Sequence, residues 1–193
     1  MRYKEYNTNK VLEKCIRLFW AKGFKGCSIN EIVEETGVNR FSLYHEFQDK
    51  NGLLYASLKL YKERYSDPNT LLLKEDGSTS QILTNFLLSF LNDKDEFQGC
   101  YLIHIGTELA DEIPQINKLV KTYLHDIETE LIRVLKQDLN TKSHAHIYAR
   151  QLVGLFCTTM SFCLILNDEE KANHIEKSIN VILSKKFSHA TSS

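Results

Sequence analysis

The chain has only two prolines, Pro68 and Pro114, in 193 residues, and little of the apolar–polar alternation that marks half-buried strands. Helices therefore meet few interruptions. Five cysteines (Cys15, Cys27, Cys100, Cys157 and Cys163) form no CxxC pair, and their odd number fits neither a disulfide framework nor a zinc ribbon. An excess of one charge is missing too. Lys and Arg number 24 against 25 Asp and Glu, which excludes a polybasic coat and an acidic tail but leaves room for a local basic face. The longest uncharged run, Gln151 to Asn167, is shorter than a membrane span and carries Gly154, Thr158, Thr159 and Ser161. The start, MRYKEYNTNK, lacks the apolar stretch of a signal peptide. A soluble, reduced, cytoplasmic protein with no membrane partner is expected.

Catalytic signatures are absent as well. No GxSxG, HExxH, Walker A or GxGxxG occurs. His144 and His146 make a lone HxH at a helix start, which reads as a solvated end. Cys157 and Cys163, six apart, point to different helix faces. The chain is expected to be no enzyme and to need neither cofactor nor metal.

What the sequence does have is apolar spacing at helical period almost throughout, with 42% hydrophobic residues to fill a core. Leu12, Cys15, Ile16 and Phe19 stripe a first helix that Gly23 ends. Ser28 has the position of an N-cap, and Glu31 three residues on completes a capping box. The short helix it opens turns Ile29, Ile32 and Val33 inward and closes at Gly37, which can take the left-handed conformation. Asn39 caps a third helix with Leu43 and Phe47 four apart. Asp49, with Gly52 nearby, starts a fourth helix through Leu54, Leu58, Tyr61 and Tyr65. Turn chemistry at Asp67-Pro68-Asn69 and Glu75-Asp76-Gly77-Ser78 predicts a break over 66–80. Beyond it come a stripe at Ile82, Leu83, Phe86, Leu87 and Phe90, and a short apolar helix over 100–109. A helix then runs from Pro114 to Leu135, a nearly all-apolar one from His144 to Leu166, and a last one carries Ile175, Ile179 and Ile182. The tail from His189 to Ser193 is expected to fray.

Residues 28–47 have the layout of a helix–turn–helix. A helix laid across the DNA backbone can hold a second one in the major groove, which is wide enough to admit it. The open face of the third helix offers Asn39, Arg40, Phe41, Ser42, Tyr44 and His45, suited to base edges and phosphates. Lys50 stands at the next helix N-terminus, where a phosphate would meet both. The first 50 residues hold nine Lys and Arg against seven Asp and Glu, while the remainder is net acidic. Geometry alone leaves a second reading open: a plain three-helix packing unit with Tyr44 in its core.

The segment FWAKGFKGCSINEIVEETGVNRFSLYHEFQDKNGLL, Phe19 to Leu54, resembles the TetR family of transcriptional regulators. The Gly-Phe element, the Ser-Ile helix start, the Gly-Val turn, the Leu-Tyr pair followed by Phe47, and Lys50 all match in order. The resemblance implies an all-α fold: a three-helix helix–turn–helix DNA-binding domain over 1–50 and a helical ligand-binding and dimerisation domain over 51–193. It implies that Ser28 and Lys50 grip phosphates, that Tyr44 packs a phosphate or sugar, and that Arg40, Phe41, Ser42 and His45 face the groove. Two positions depart from the pattern. Glu46 stands where members often carry His; a carboxylate there repels phosphate, so its expected task is to orient Arg40 or a lysine. Cys27 replaces a common Thr, as a small buried residue.

From residue 51 onward the match is in plan only. The implied protein is a repressor that binds a double-stranded DNA operator as a homodimer and is released by a small-molecule effector. Its two modules would sit about 34–36 Å apart on a near-palindrome. The apolar run from Leu152 to Leu166, with Ile175, Ile179 and Ile182, is the expected dimer surface; the alternative is ordinary core. Phe86, Phe90, Ile103, His104, Thr107, Tyr123, Phe156 and Met160 are the ligand-pocket candidates, combining apolar walls with polar handles. Each is also a natural core residue, His104 as a satisfied core histidine. Cys100 would begin a helix, where the dipole favours thiolate and a redox or electrophile sensor is conceivable; a buried small residue is the alternative. A DNA-binding dimer without any small-molecule input is the remaining rival.

Overall fold

The computed structural model describes residues 6–90, 99–109, 111–138, 142–161 and 168–184. Among these the chain is all-helical, with no strand. The helices are α1 (Thr8–Gly26), α2 (Ile29–Thr36), α3 (Arg40–Phe47), α4 (Lys50–Tyr61), α5 (Asp67–Leu71), α6 (Thr79–Ser89), α7 (Tyr101–Leu109), α8 (Pro114–Leu135), α9 (Ala145–Ser161) and α10 (Asp168–Ser184). Cys163, the residues expected to carry α9 on to Leu166, and the tail beyond His189 lie outside the described residues.

The chain forms two compact units. The first takes residues up to Pro68 together with 95–121; the second takes 69–94 and everything from Thr122 onward. In the first, α1 is the hub, packing on α2, α4 and α7. Its stripe Val11, Leu12, Cys15, Ile16 and Phe19 is buried as the spacing predicts. Gly23 interrupts the helical path at φ 72° and ψ 165°. α4 does not stand apart after residue 50. Leu53, Leu54 and Leu58 are buried, and Ser57 Oγ lies 3.0 Å from the Tyr101 hydroxyl of α7. Trp20 stacks on Tyr101 and meets Tyr61 edge-on. The compact units thus do not divide at residue 50.

In the second unit, Ser78 and Gln81 form a capping box that starts α6. Ile82, Leu83, Phe86 and Leu87 then face α10 and the rest of the unit. Phe156 of α9 meets Phe86, Phe90 and Tyr123, at ring separations of 5.9, 4.9 and 6.4 Å.

Two expectations are corrected here. The break over 66–80 is narrower than the turn residues suggest. α4 runs on through a wide turn over Lys62–Ser66 into α5 and a short 3-10 turn, and only then does the chain loop. Pro68 is the second residue of α5, which follows that wide turn directly. The second correction concerns the dimer surface. Ile175, Ile179 and Ile182 are buried within the single chain, as are Leu152, Phe156 and Met160, because α10 packs its apolar face on α6 and α9. The open stripe of α9 is instead Ile147, Gln151, Gly154, Thr158 and Ser161.

Candidate nucleic-acid interface

Both ends of α2 and the starts of α3 and α4 are closed by the residues the sequence assigns to them. Ser28 Oγ accepts the Glu31 N–H at 3.2 Å, and Glu31 accepts the Ser28 N–H at 2.7 Å. Lys22 pairs with the same carboxylate at 2.5 Å. That ammonium, followed by the Ser28 N–H, holds Glu31 down to about 2. Gly37 ends α2 with φ 71°, a left-handed turn that a Cβ would strain. Asn39 Oδ1 then accepts the Ser42 N–H at 2.9 Å and opens α3. Asp49 Oδ1 accepts the Gly52 N–H at 2.7 Å to open α4. Gly52 is required for room: a Cβ there would lie 1.9 Å from the Phe47 carbonyl oxygen.

With 3.6 residues per turn, the eight residues of α3 fall into four rows of i,i+4 pairs. Leu43 and Phe47 are buried against the unit. Diametrically opposite, Phe41 and His45 face outward with their rings 6.2 Å apart, and Phe41 is 79% exposed. On one flank Arg40 lies over the Tyr44 ring at 5.1 Å. Tyr44 is half-buried, so it is neither wholly core nor wholly free. On the other flank stand Ser42 and Glu46. The helix thus presents two aromatics, a guanidinium and an imidazole in adjoining rows, set on a buried pair.

Ser28 is exposed; with its oxygen spent on the cap, its hydroxyl proton remains available to an anion. Lys50 is more constrained than expected. Its ammonium donates to the Phe24 carbonyl at 2.5 Å and sits 4.1 Å from the Phe24 ring centroid. Glu46 takes two hydroxyl donors from the start of α1. Its Oε2 accepts the Tyr6 phenol at 2.5 Å and its Oε1 accepts the Thr8 hydroxyl at 3.1 Å. Sequence reasoning missed Tyr6 and Thr8, which lie 40 and 38 residues away and carry no local signal. Glu108 of α7 was missed likewise. Its carboxylate accepts the Phe24 and Lys25 backbone N–H groups at 2.8 and 2.9 Å, just beyond the Gly23 interruption.

The eight pocket candidates do not come together in one unit. Phe86, Phe90, Tyr123, Phe156 and Met160 are buried in the second. Ile103, His104 and Thr107 sit on α7 in the first. Ile103 is buried, but His104 and Thr107 are exposed, so His104 is not a core histidine. The Thr107 hydroxyl donates to the His104 carbonyl at 2.8 Å. Cys100 begins α7 as expected, with its carbonyl accepting the His104 N–H, and its side chain is buried. Cys27 is buried too, and burial pushes its thiol pKa up. Among the described residues, no group of His, Cys, Asp or Glu is placed to hold a metal ion, and no helix is long and apolar enough to cross a membrane.

Comparison with known proteins places this geometry. Residues 11–56 match the sequence model of the bacterial regulatory proteins of the tetR family. The HTH-type transcriptional repressor ComR of Escherichia coli is 30% identical over 125 residues, 63% of this chain and 60% of ComR, so less than two thirds of that relative is spanned. The negative regulator of the biofilm operon icaADBC, IcaR of Staphylococcus epidermidis, is 26% identical over 125 residues, 64% of each protein. Among solved structures, a cysteine-substituted TetR-family regulator CifR in complex with 26-bp operator DNA superposes with a TM-score of 0.82 at 16% identity. That match covers 93% of this chain and 98% of CifR. SCO4454, a TetR-family regulator from Streptomyces coelicolor, gives 0.80 at 19% identity over 90% and 92%. These structural likenesses establish a shared fold: an N-terminal helix–turn–helix and a helical C-terminal domain. The tetR family pattern runs unbroken from the stripe of α1 into α4, through every cap that shapes α2 and α3, so residues 11–56 form a helix–turn–helix segment of the tetR family type.

Proposed function

We propose that the chain is a DNA-binding transcriptional regulator of repressor type. It acts as a homodimer on a near-palindromic operator and is released by a small-molecule effector. The observation that carries this reading is the outward row of α3. A phenylalanine left 79% exposed beside His45, with Arg40 and Tyr44 on the adjoining row, adds nothing to the core of the free chain. A groove lined with base edges, thymine methyls and phosphates gives all four side chains partners. Ser28 and Lys50 flank that row as phosphate contacts. The carboxyl-terminal role, from residue 51, is sensing and dimerisation. Phe86, Phe90, Tyr123, Phe156 and Met160 supply apolar walls for an effector, and the open α9 stripe from Ile147 to Thr158 is the surface assigned to the two-fold axis. An effector that releases DNA binds the DNA-incompetent form more tightly; equal affinity for both forms shifts nothing. Cys100 takes the structural role, since a buried thiol is a poor sensor.

The test is selection of bound sequences from a random duplex pool. A palindrome with half-sites about one helical turn apart is expected, and a chain that enriches no sequence overturns the reading. Arg40→Ala should relax preference at one base pair per half-site by about 1–3 kcal/mol, whereas Lys50→Ala should weaken all duplexes alike and flatten the salt dependence.

A further inference from the structure

α3 has eight residues, too few to hold its own shape, and only its Leu43–Phe47 row is buried. A helix gripped along one row can still roll about it. The Ser42–Glu46 row meets a second grip from the start of α1. Asn7 caps α1, its side chain accepting the Lys10 N–H at 3.1 Å, and thereby fixes Tyr6 and Thr8 on either side of the cap. The Tyr6 phenol donates to Glu46 Oε2 at 2.5 Å and lies 3.3 Å from the Ser42 carbonyl oxygen, while Thr8 donates to Glu46 Oε1. Hydroxyl-to-carboxylate bonds of this kind are charge-assisted and strong.

We propose that Glu46 is a positioning residue for DNA readout: by accepting the Tyr6 and Thr8 hydroxyls, it latches the start of α1 to α3 and fixes the roll at which Phe41, His45 and Arg40 are presented. The proposal rests on the DNA-reading function above. It also explains why a carboxylate is tolerated on this helix, since both of its oxygens are turned to hydroxyl donors on the flank, one row away from the outward face. Burial, and then Glu46 itself, push the Tyr6 pKa up to about 12, so the phenol stays a donor throughout the neutral range.

The test is a double-mutant cycle with Tyr6→Phe, Glu46→Ala and the pair together. The readout is competition between the selected palindrome and random duplex, alongside thermal midpoints. Each single variant should lower the specific-to-random ratio on the order of tenfold with nonspecific affinity retained. The double variant should be close to the poorer single, because Glu46→Ala already breaks the Tyr6–Glu46 bond that Tyr6→Phe removes. Unchanged ratios, or losses that multiply, overturn the latch. Amide exchange of the free protein gives a readout that needs no DNA: Tyr6→Phe should speed exchange in α3 several-fold more than in α2. A wild-type chain that selects no duplex overturns the DNA reading, whereas unaltered α3 exchange in Tyr6→Phe overturns the latch itself.

Discussion

Both compact units have apolar interiors, but the described long-range polar links are concentrated in the first. In the first, directional polar links join residues far apart in sequence: Tyr6 and Thr8 to Glu46, Lys50 to the Phe24 carbonyl, Lys14 to the Glu35 carbonyl, Arg64 to Glu13, and Glu108 to the backbone after Gly23. In the second, three aromatics surround Phe156 and α10 adds its isoleucine stripe, with Arg133 donating to the Leu73 carbonyl as a long-range polar link. Its described ion pairs, such as Arg150 with Glu128 and Lys74 with Glu130, lie toward the surface. Directional bonds fix angles, as a helix that must enter a groove requires. Apolar packing fixes volume and tolerates exchange of one shape for another, which suits a unit proposed to enclose an effector.

Truncation in the second unit is the strongest way to challenge this contrast. Phe156→Ala removes a fully buried ring and should cost about 3–5 kcal/mol, read as a lower midpoint in denaturant and faster amide exchange in α6 and α9. If exchange there matches the wild type, the aromatic cluster is not what holds the unit. In the first unit the corresponding sensitivity is to a single methyl. Gly52→Ala places a Cβ into the Phe47 carbonyl, which belongs to backbone and cannot swing away. A loss of about 3 kcal/mol is expected, with α3 and the first turn of α4 exchanging fastest. A neutral Gly52→Ala would mean that the α3–α4 corner is looser than its directional bonds imply.

The same contrast governs how much could be read in the amino-acid order. Ser28, Gly37, Asn39 and Asp49 act within three or four residues of themselves, so their caps and the helices they open were legible, as was the inward Leu43–Phe47 pair. The stripes of α6, α8 and α10 followed from periodicity alone. Periodicity says that a face is apolar but not what covers it; hence Ile175, Ile179 and Ile182 read as a dimer surface and are core. His104 and Thr107 share a short apolar helix with Ile103, yet face outward, because a helix nine residues long leaves any assignment of its open side to its neighbours. Glu46 was noticed as a departure, but its partners enter from α1, and no local pattern pairs position 46 with positions 6 and 8.

The smallest expected effect falls on a cap at the edge of the first unit. Glu31 is held down to about 2 by Lys22 and the Ser28 N–H, against an ordinary carboxylate value near 4.5. A lowered folded-state pKa means that the folded chain prefers the ionised form. Its stabilisation is therefore complete above about pH 4.5 and is lost as pH falls toward 2. The group is solvent-exposed and screened, so the loss is modest and shrinks with salt. Glu31→Gln keeps an acceptor for the Ser28 N–H but removes the charge. Its acid unfolding curve between pH 4.5 and 2 should be shallower than the wild type's, with the two converging at the acid end and the difference narrowing in high salt. Parallel curves across that interval would remove Glu31 from the directional bonds that shape α2, and leave its capping role to Ser28 alone.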